Sequence, residues 1–302
     1  MQYSFPAAWP LIQRGHAYHE RNGIGFFTLP AFTDTGIVRH GCSTRTGGVS
    51  KGAYASLNLS FTRPDEPREN VMENYRLFAQ AAGIAWDSMV MDTFEHGVTV
   101  LAVDRGDAGA GYLLPPLPFC DGLITDDPGI ALITGHADCL PLYLLDPVRR
   151  CIGLAHAGWK GTLGKIGLVA AKMMAERYGA DPARMLAGVG PCICADCFEA
   201  GEDLGALFSE AFPGVPCVSP GKPGKVQIDL AMAAAAQFME AGIPPSQISL
   251  MDVCTFEEER LYSHRREKGN TGGMAAFLQL QPKEAFGEKD AFLQYAPKAQ
   301  TV

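Results

Sequence analysis

An α/β fold, a mixed sheet with helices outside, is what this chain predicts, and three observations carry it. Segments with helical apolar spacing alternate with short apolar runs of strand length. The runs at 140–146 and 150–155 are joined only by the turn DPVRR at 146–150, which makes that pair a hairpin. Elsewhere the alternation implies crossovers, so hairpins and crossovers together give a mixed sheet more complex than a doubly wound one.

The elements follow in order. Pro67 to Ala82 reads as a helix with Val71, Tyr75, Phe78 and Ala82 on one face, and Gly83 ends it. MVMDTF at 89–94 reads as a strand, as do 120–125, 129–135, 140–146, 150–155, 185–190 and 247–254. Thr162 caps a helix running to Tyr178, with Ile166, Val169 and Met173 on its apolar stripe and Gly179 past its end. Asp229 caps another that ends at Gly242. The Gly/Pro-rich stretches 104–118 and 213–225 read as loops, the first a candidate lid. Neither divides regions of different composition, which predicts one domain over 1–302.

Composition narrows the function classes. The net charge of −8 argues against non-specific nucleic-acid binding, which a basic face supplies. The apolar runs fall well short of the ~20 residues that span a bilayer. The N-terminus lacks a basic start followed by an apolar core, so it does not read as a signal peptide. Nine cysteines form an odd count without repeating spacing, which predicts reduced thiols and a cytoplasmic protein. No feature demands a dimer, so a monomer is expected.

The chemistry concentrates in two short motifs, HADC ending at Cys139 and AHAGW containing His156. Each follows a short apolar run, so both residues sit at strand ends, where side chains face clefts. Cys and His are favoured ligands of a borderline-soft metal, and they are also the halves of a thiolate–imidazole nucleophile. His96 in FEHG is the best third partner, and a His/Cys/His set with one open position describes a catalytic rather than a structural zinc site. The separations of 43 and 17 residues match no zinc-finger spacing, and taken singly Cys139 is equally a buried core thiol. Arg45, in CSTRTGGVS, suits a phosphate or carboxylate, or is a solvated residue in a Gly-Gly turn. Cys192, Cys194 and Cys197 have a C-x-C-x-x-C spacing that invites a metal. No nearby His or Cys completes a tetrahedron in sequence, so a tight loop of small apolar side chains is preferred. Arg265 and Arg266 contact an anion or form a solvated turn.

Taken together, STRTGG, SLNLS, the HG of FEHG, ADC-x-P, AHAGW-x-G, GP-x-I…CFE-x-G, CT and S-x-RR…TG occur in one order between residues 42 and 276. In this the chain resembles the laccase-domain family (YfiH-like), whose members are called polyphenol oxidases and purine nucleoside phosphorylases. The resemblance implies a four-layer α/β/β/α sandwich related to the cytotoxic necrotizing factor catalytic domain. It implies a catalytic core over about 36–282 behind an N-terminal extension at 1–22. It also implies His96, Cys139 and His156 as metal ligands, with zinc expected and copper an alternative. It puts Arg45 in the same pocket as a catalytic and substrate-binding group, with Asn58 nearby and Arg265 as a further substrate contact. His136, which the family does not share, is read from its place beside Cys139 as a substrate contact, a fourth ligand, a proton shuttle or a residue pointing into the core.

The function so implied is phosphorolysis of adenosine, inosine or methylthioadenosine, with adenosine deaminase activity beside it. The partners are a purine nucleoside and phosphate, with no nucleic acid and no membrane. The chain departs from the family pattern at Phe94, where Gln is usual, at His136, where Thr is usual, and at Gly273, where Arg is usual. A multicopper oxidase builds its trinuclear centre from His-x-His pairs; this chain has seven His and no such pair. The alternatives are a Cys139–His156 hydrolase or amidase acting on peptidoglycan precursors, a single-copper oxidase, and a metal-binding protein without catalysis.

Overall fold

Two sheets meet face to face, and each carries helices on its outer side. The computed structural model describes residues 5–282. One sheet has seven strands in the order Gln13–Arg14, Ile248–Leu250, Leu186–Val189, Leu140–Asp146, Cys151–Ala157, Gly122–Thr125, Val100–Ala102. The other has six, in the order Ala17–Arg21, Ile24–Thr28, Val38–Ser43, Met274–Leu280, Ala131–His136, Met89–Met91. Parallel and antiparallel pairs occur in both, as expected of a mixed sheet.

The layering follows from side-chain alternation along the central strands. In Leu140–Asp146, Tyr143 and Leu145 enter the core between the sheets, while Leu140, Leu142 and Leu144 face the helices Ile166–Tyr178 and Leu230–Glu240. In Met274–Leu280, Met274, Ala276, Leu278 and Leu280 face the other sheet, while Ala275 and Phe277 pack beneath the helix Arg68–Ala82. Strands buried on both faces explain why these runs are continuously apolar in sequence. The result is the α/β/β/α sandwich.

Several local readings hold. Gly83 ends its helix in the left-handed conformation, φ 68°. Asp229 caps Leu230–Glu240, its side chain accepting from the Met232 N–H at 2.8 Å. The hairpin at DPVRR pairs Cys151 with Asp146.

Others are corrected. Thr162 caps nothing: it lies inside a short helix, Trp159–Leu163, and Lys165 at φ 61° breaks the chain before Ile166–Tyr178 begins. The segment 213–225 is no plain loop, because Val218–Pro220 and Lys225–Ile228 pair in a small third sheet with Glu199–Gly201. Residues 5–22 are built into the sandwich. Gln13–Arg14 pairs with Ser249–Leu250 at the edge of one sheet, and Ala17–Arg21 edges the other. No described helix is long and apolar enough to cross a membrane.

Candidate metal centre

All three predicted ligands come from one rim of the sandwich, where the chain passes between the sheets. The connection from Met89–Met91 to Val100–Ala102 leaves the six-stranded sheet and enters the seven-stranded one, and it carries His96. The turn from Ala131–His136 to Leu140–Asp146 makes the same crossing and carries Cys139. His156 lies in Cys151–Ala157, opposite Pro141 in register. The ligand atoms of His96, Cys139 and His156 lie within 4.8 Å of one another.

Local chemistry holds each one in place. Asp121 accepts the backbone N–H groups of Glu95 and Gly97 at 2.9 Å each, clamping the turn in which His96 has φ 63°. Asp138, at φ 84°, precedes Cys139. Its Oδ1 accepts from Thr255 Oγ1 at 2.6 Å and its Oδ2 from the Arg265 N–H at 2.7 Å, so the ADC, CT and SHRR segments are tied at one carboxylate. Left-handed backbone at His96 itself and at Asp138, next to Cys139, is local strain of the kind that collects at functional sites. A Cβ on Gly158 would lie 2.8 Å from His96 Cδ2 and 3.2 Å from Cys139 Sγ, so AHAGW needs its glycine for the ligands to converge.

The His156 ring fits a metal. Nδ1 lies 2.6 Å from the Gly135 carbonyl, which can only accept, so Nδ1 carries the proton. Burial, with His96 adding, pushes the imidazole down to about 3, which leaves it neutral. Nε2 therefore presents a lone pair, and it is buried without a hydrogen-bond partner. This is the arrangement of a metal-ligating His whose other nitrogen is fixed by a carbonyl. Burial, with Asp138 adding, pushes the Cys139 thiol up to about 12. A bound cation reverses that preference, because a coordinated thiol is deprotonated. The donor set suits a borderline-soft divalent ion such as zinc.

The departures from the family pattern acquire roles. Phe94 stacks on His156 at 4.2 Å, and His136 stacks on its other face at 4.9 Å, so the ligand ring sits in an aromatic sandwich. His136 cannot be a fourth ligand in this arrangement. Its Nδ1 donates to the Cys139 carbonyl at 3.1 Å and its Nε2 accepts from Thr134 Oγ1 at 2.7 Å. Gly273 could not carry a side chain without displacing Ser60, whose Cβ would stand 2.9 Å from its own.

A cavity of about 1170 Å³ opens over the three ligands. His136 and Arg265 line it, whereas Arg45 and Asn58 do not. The Arg45 guanidinium is committed elsewhere. It pairs with Glu267 at 2.6 Å, donates from Nε to the Ala55 carbonyl at 3.0 Å, and lies 4.4 Å over the Tyr262 ring. Asn58 is buried, and its Oδ1 accepts the Gly273 and Ser60 N–H groups at 2.9 and 3.1 Å. Both residues shape the scaffold behind the cavity rather than its surface.

Two lining residues escaped the sequence reading. Arg63 donates from Nη2 to the Gly272 carbonyl at 3.2 Å, while its Nε is buried and unpartnered. Asp92 accepts the Gly135 N–H at 3.3 Å, and its Oδ2 is buried and unpartnered. Burial, reinforced by Asp121, holds the Asp92 carboxyl well above the usual carboxylate range. Neither residue sits in a recognisable motif, and only the fold reveals them. The loop 104–118 contributes Gly111 and Pro116 to the wall.

The sequence model of the family described as multi-copper polyphenol oxidoreductase laccase matches residues 39–281. A purine nucleoside phosphorylase of Deinococcus radiodurans is 40% identical over 247 residues, 82% of this chain and 91% of that protein. The purine nucleoside phosphorylase YlmD of Geobacillus stearothermophilus is 35% identical over 79% of this chain and 88% of its own length. The crystal structure of that YlmD superposes with a TM-score of 0.82, covering 88% of this chain and all of the other, at 31% identity. The Bacillus licheniformis protein YfiH superposes with a TM-score of 0.81 at 29% identity, covering 87% and 99% of the two chains. With four-fifths of its length matched, this chain belongs to the multi-copper polyphenol oxidoreductase laccase family.

Proposed function

We propose that the protein is a zinc-dependent purine nucleoside phosphorylase whose metal is held by His96, Cys139 and His156. The observation that carries this reading is the orphaned Nε2 of a neutral His156, aimed with His96 and Cys139 at the floor of a large cavity. The relatives named purine nucleoside phosphorylase supply the reaction class.

The cavity's own residues suit both substrates. Phe61, Phe119, Trp159 and Phe198 line it and offer apolar faces on which a purine can stack. Arg63 and Arg265 line it and offer guanidinium groups to a phosphate dianion. Arg63, anchored at the Gly272 carbonyl, brings a cation to the place where the family pattern has the arginine that Gly273 replaces. Arg265 is anchored through Nη1 to the Glu199 carbonyl at 3.1 Å. In the reaction a phosphate oxygen bonds to the ribose C1′ as the C1′–N9 bond breaks, and the electron pair leaves with the purine. Arg63 and Arg265 fix the phosphate for that attack, and the aromatic walls exclude water that would compete with it. When bound, the metal supplies Lewis acidity and stabilises developing negative charge.

A thiol hydrolase needs a Cys139 thiolate beside an imidazolium. Burial sets both groups the opposite way, with Cys139 up to about 12 and His156 down to about 3. Treatment with a zinc chelator distinguishes the two chemistries. The metal enzyme loses adenosine turnover on chelation and regains it with zinc. Turnover that survives complete removal of the metal refutes the zinc reading. Inosine among the products would add deamination at the same centre.

A further inference from the structure

A second cluster of metal-ligating side chains lies outside the cavity and shares no residue with it. Strands Leu186–Val189 and Ile248–Leu250 are parallel neighbours, so the chains leaving their C-terminal ends run side by side. Backbone bonds hold them together: the Cys192 N–H donates to the Val253 carbonyl at 3.1 Å, and the Thr255 N–H to the Cys192 carbonyl at 3.0 Å. This places Cys254 against the C-x-x-C pair that sequence alone left without partners. Cys194 caps the start of a single 3-10 turn, Ala195–Cys197, and Cys197 ends it. The Cys194 N–H donates to Cys254 Sγ at 3.4 Å, which fixes the sulfur against the C-x-x-C loop. The next turn on, closed by the Glu258 N–H on the Cys254 carbonyl at 2.9 Å, brings Glu257 Oε1 to 3.6 Å from Cys197 Sγ. Cys192 belongs to the core instead.

The four donor atoms of Cys194, Cys197, Cys254 and Glu257 lie within 4.8 Å of one another. A tetrahedral zinc with bonds of about 2.3 Å to sulfur sets S–S edges of roughly 3.8 Å. The donors thus need to draw in by about an ångström at most. Three sulfurs and one carboxylate are a soft, closed set that selects zinc over magnesium or calcium. None of the nine cysteines is in a disulfide, so all three sulfurs are available. Asp196 lines the adjoining cleft beside Asp252, which is paired with Arg14 at 3.0 Å, and Asp229, which caps Leu230–Glu240.

We propose that Cys194, Cys197, Cys254 and Glu257 bind a second zinc ion, structural in character, that staples the wall of the catalytic cavity. On binding, the three thiols release their protons to solvent. The staple acts on the cavity because the same loop lines it. Ile193 and Phe198 flank the C-x-x-C pair and face the cavity. The Ile193 N–H donates to the Asp138 carbonyl at 3.0 Å, next to Cys139. Arg265 Nη1 reaches the Cys197 carbonyl at 3.4 Å.

The test is zinc per chain by elemental analysis on protein purified from zinc-supplemented medium. Two equivalents are expected in the wild type, with one remaining in Cys254→Ser and one in Cys139→Ala. The proposal does not rest on the nucleoside reading. One equivalent that vanishes in Cys254→Ser but stays in Cys139→Ala supports it and overturns the first centre instead. Glu257 is exposed, so Glu257→Gln keeps the fold and is expected to lose the second zinc to a competing chelator at least about tenfold more readily. Zinc content unchanged by Cys254→Ser, or zinc retention unchanged by Glu257→Gln, overturns the site.

Discussion

Gly158→Ala tests how tightly the fold holds the metal ligands. The backbone there, at φ −74° and ψ 178°, is open to alanine, so the substitution introduces no conformational strain. The new Cβ would stand 2.8 Å from His96 Cδ2 and 3.2 Å from Cys139 Sγ. Carbon atoms rest at about 3.5 Å or more, so the His96 ring must retreat by roughly 0.7 Å. Metal–ligand distances tolerate only about 0.2 Å. His96 sits in a turn clamped by Asp121, so the displacement falls on the ligand itself. The expected loss is about 10–100-fold in zinc affinity at this centre, comparable to losing an outer-shell partner. That equals about 1.4–2.7 kcal/mol. Global stability should fall by only about 1 kcal/mol, from exchanging glycine for alanine at the N-cap of Trp159–Leu163. Competition with a chromophoric chelator, beside a thermal melt, measures both. Zinc affinity within about twofold of wild type, with the fold intact, refutes the crowding argument.

The remaining predictions concern charges in and behind the cavity. Arg63→Ala is expected to raise KM for phosphate by about 10–100-fold with little change in Tm, since one charge-assisted contact is worth about 1.5–3 kcal/mol; an unchanged phosphate KM removes Arg63 from the site. Arg45→Ala should destabilise the protein by about 1–3 kcal/mol while sparing kcat, because its pairings lie behind the wall; a lost kcat with normal stability would return Arg45 to catalysis. Asn58→Ala is expected to cost about 2–3 kcal/mol by leaving the Gly273 and Ser60 N–H groups unpaired, which denaturant unfolding reads directly. Asp92 has a raised pKa, so the folded state holds a proton that the unfolded state releases above its ordinary value. Its stability contribution therefore declines as pH rises from the unfolded towards the folded pKa. Asp92→Asn should gain Tm relative to wild type at alkaline pH and lose that advantage near pH 3; a pH-independent difference contradicts the buried neutral carboxyl.

What sequence could reveal here depended on whether a feature is local. Strands buried on both faces announce themselves as apolar runs, and Gly83 and Asp229 mark helix ends by chemistry of their own. The convergence of His96, Cys139 and His156 was legible because Cys139 and His156 end such runs, and because His96 follows the strand MVMDTF. What sequence concealed is long-range. Arg45 looked like an anion site because nothing near it in sequence shows that Glu267, 222 residues away, takes its guanidinium. Asn58 looked like a substrate contact until Gly273 proved to be its partner. Cys254 lies too far from Cys197 in sequence to be read as its neighbour, and the parallel pairing of their strands brings them together. The break at Lys165 was hidden because apolar periodicity continues through it.

Phosphorolysis at the His96–Cys139–His156 centre is tested directly by product analysis. Zinc-loaded protein is incubated with adenosine, with and without phosphate, beside Cys139→Ala, and adenine and ribose 1-phosphate are quantified by chromatography. Adenine and ribose 1-phosphate are expected in equal amounts, only with phosphate, and neither from Cys139→Ala. Adenine formed without phosphate, or formed equally by the variant, would contradict phosphorolysis at this centre.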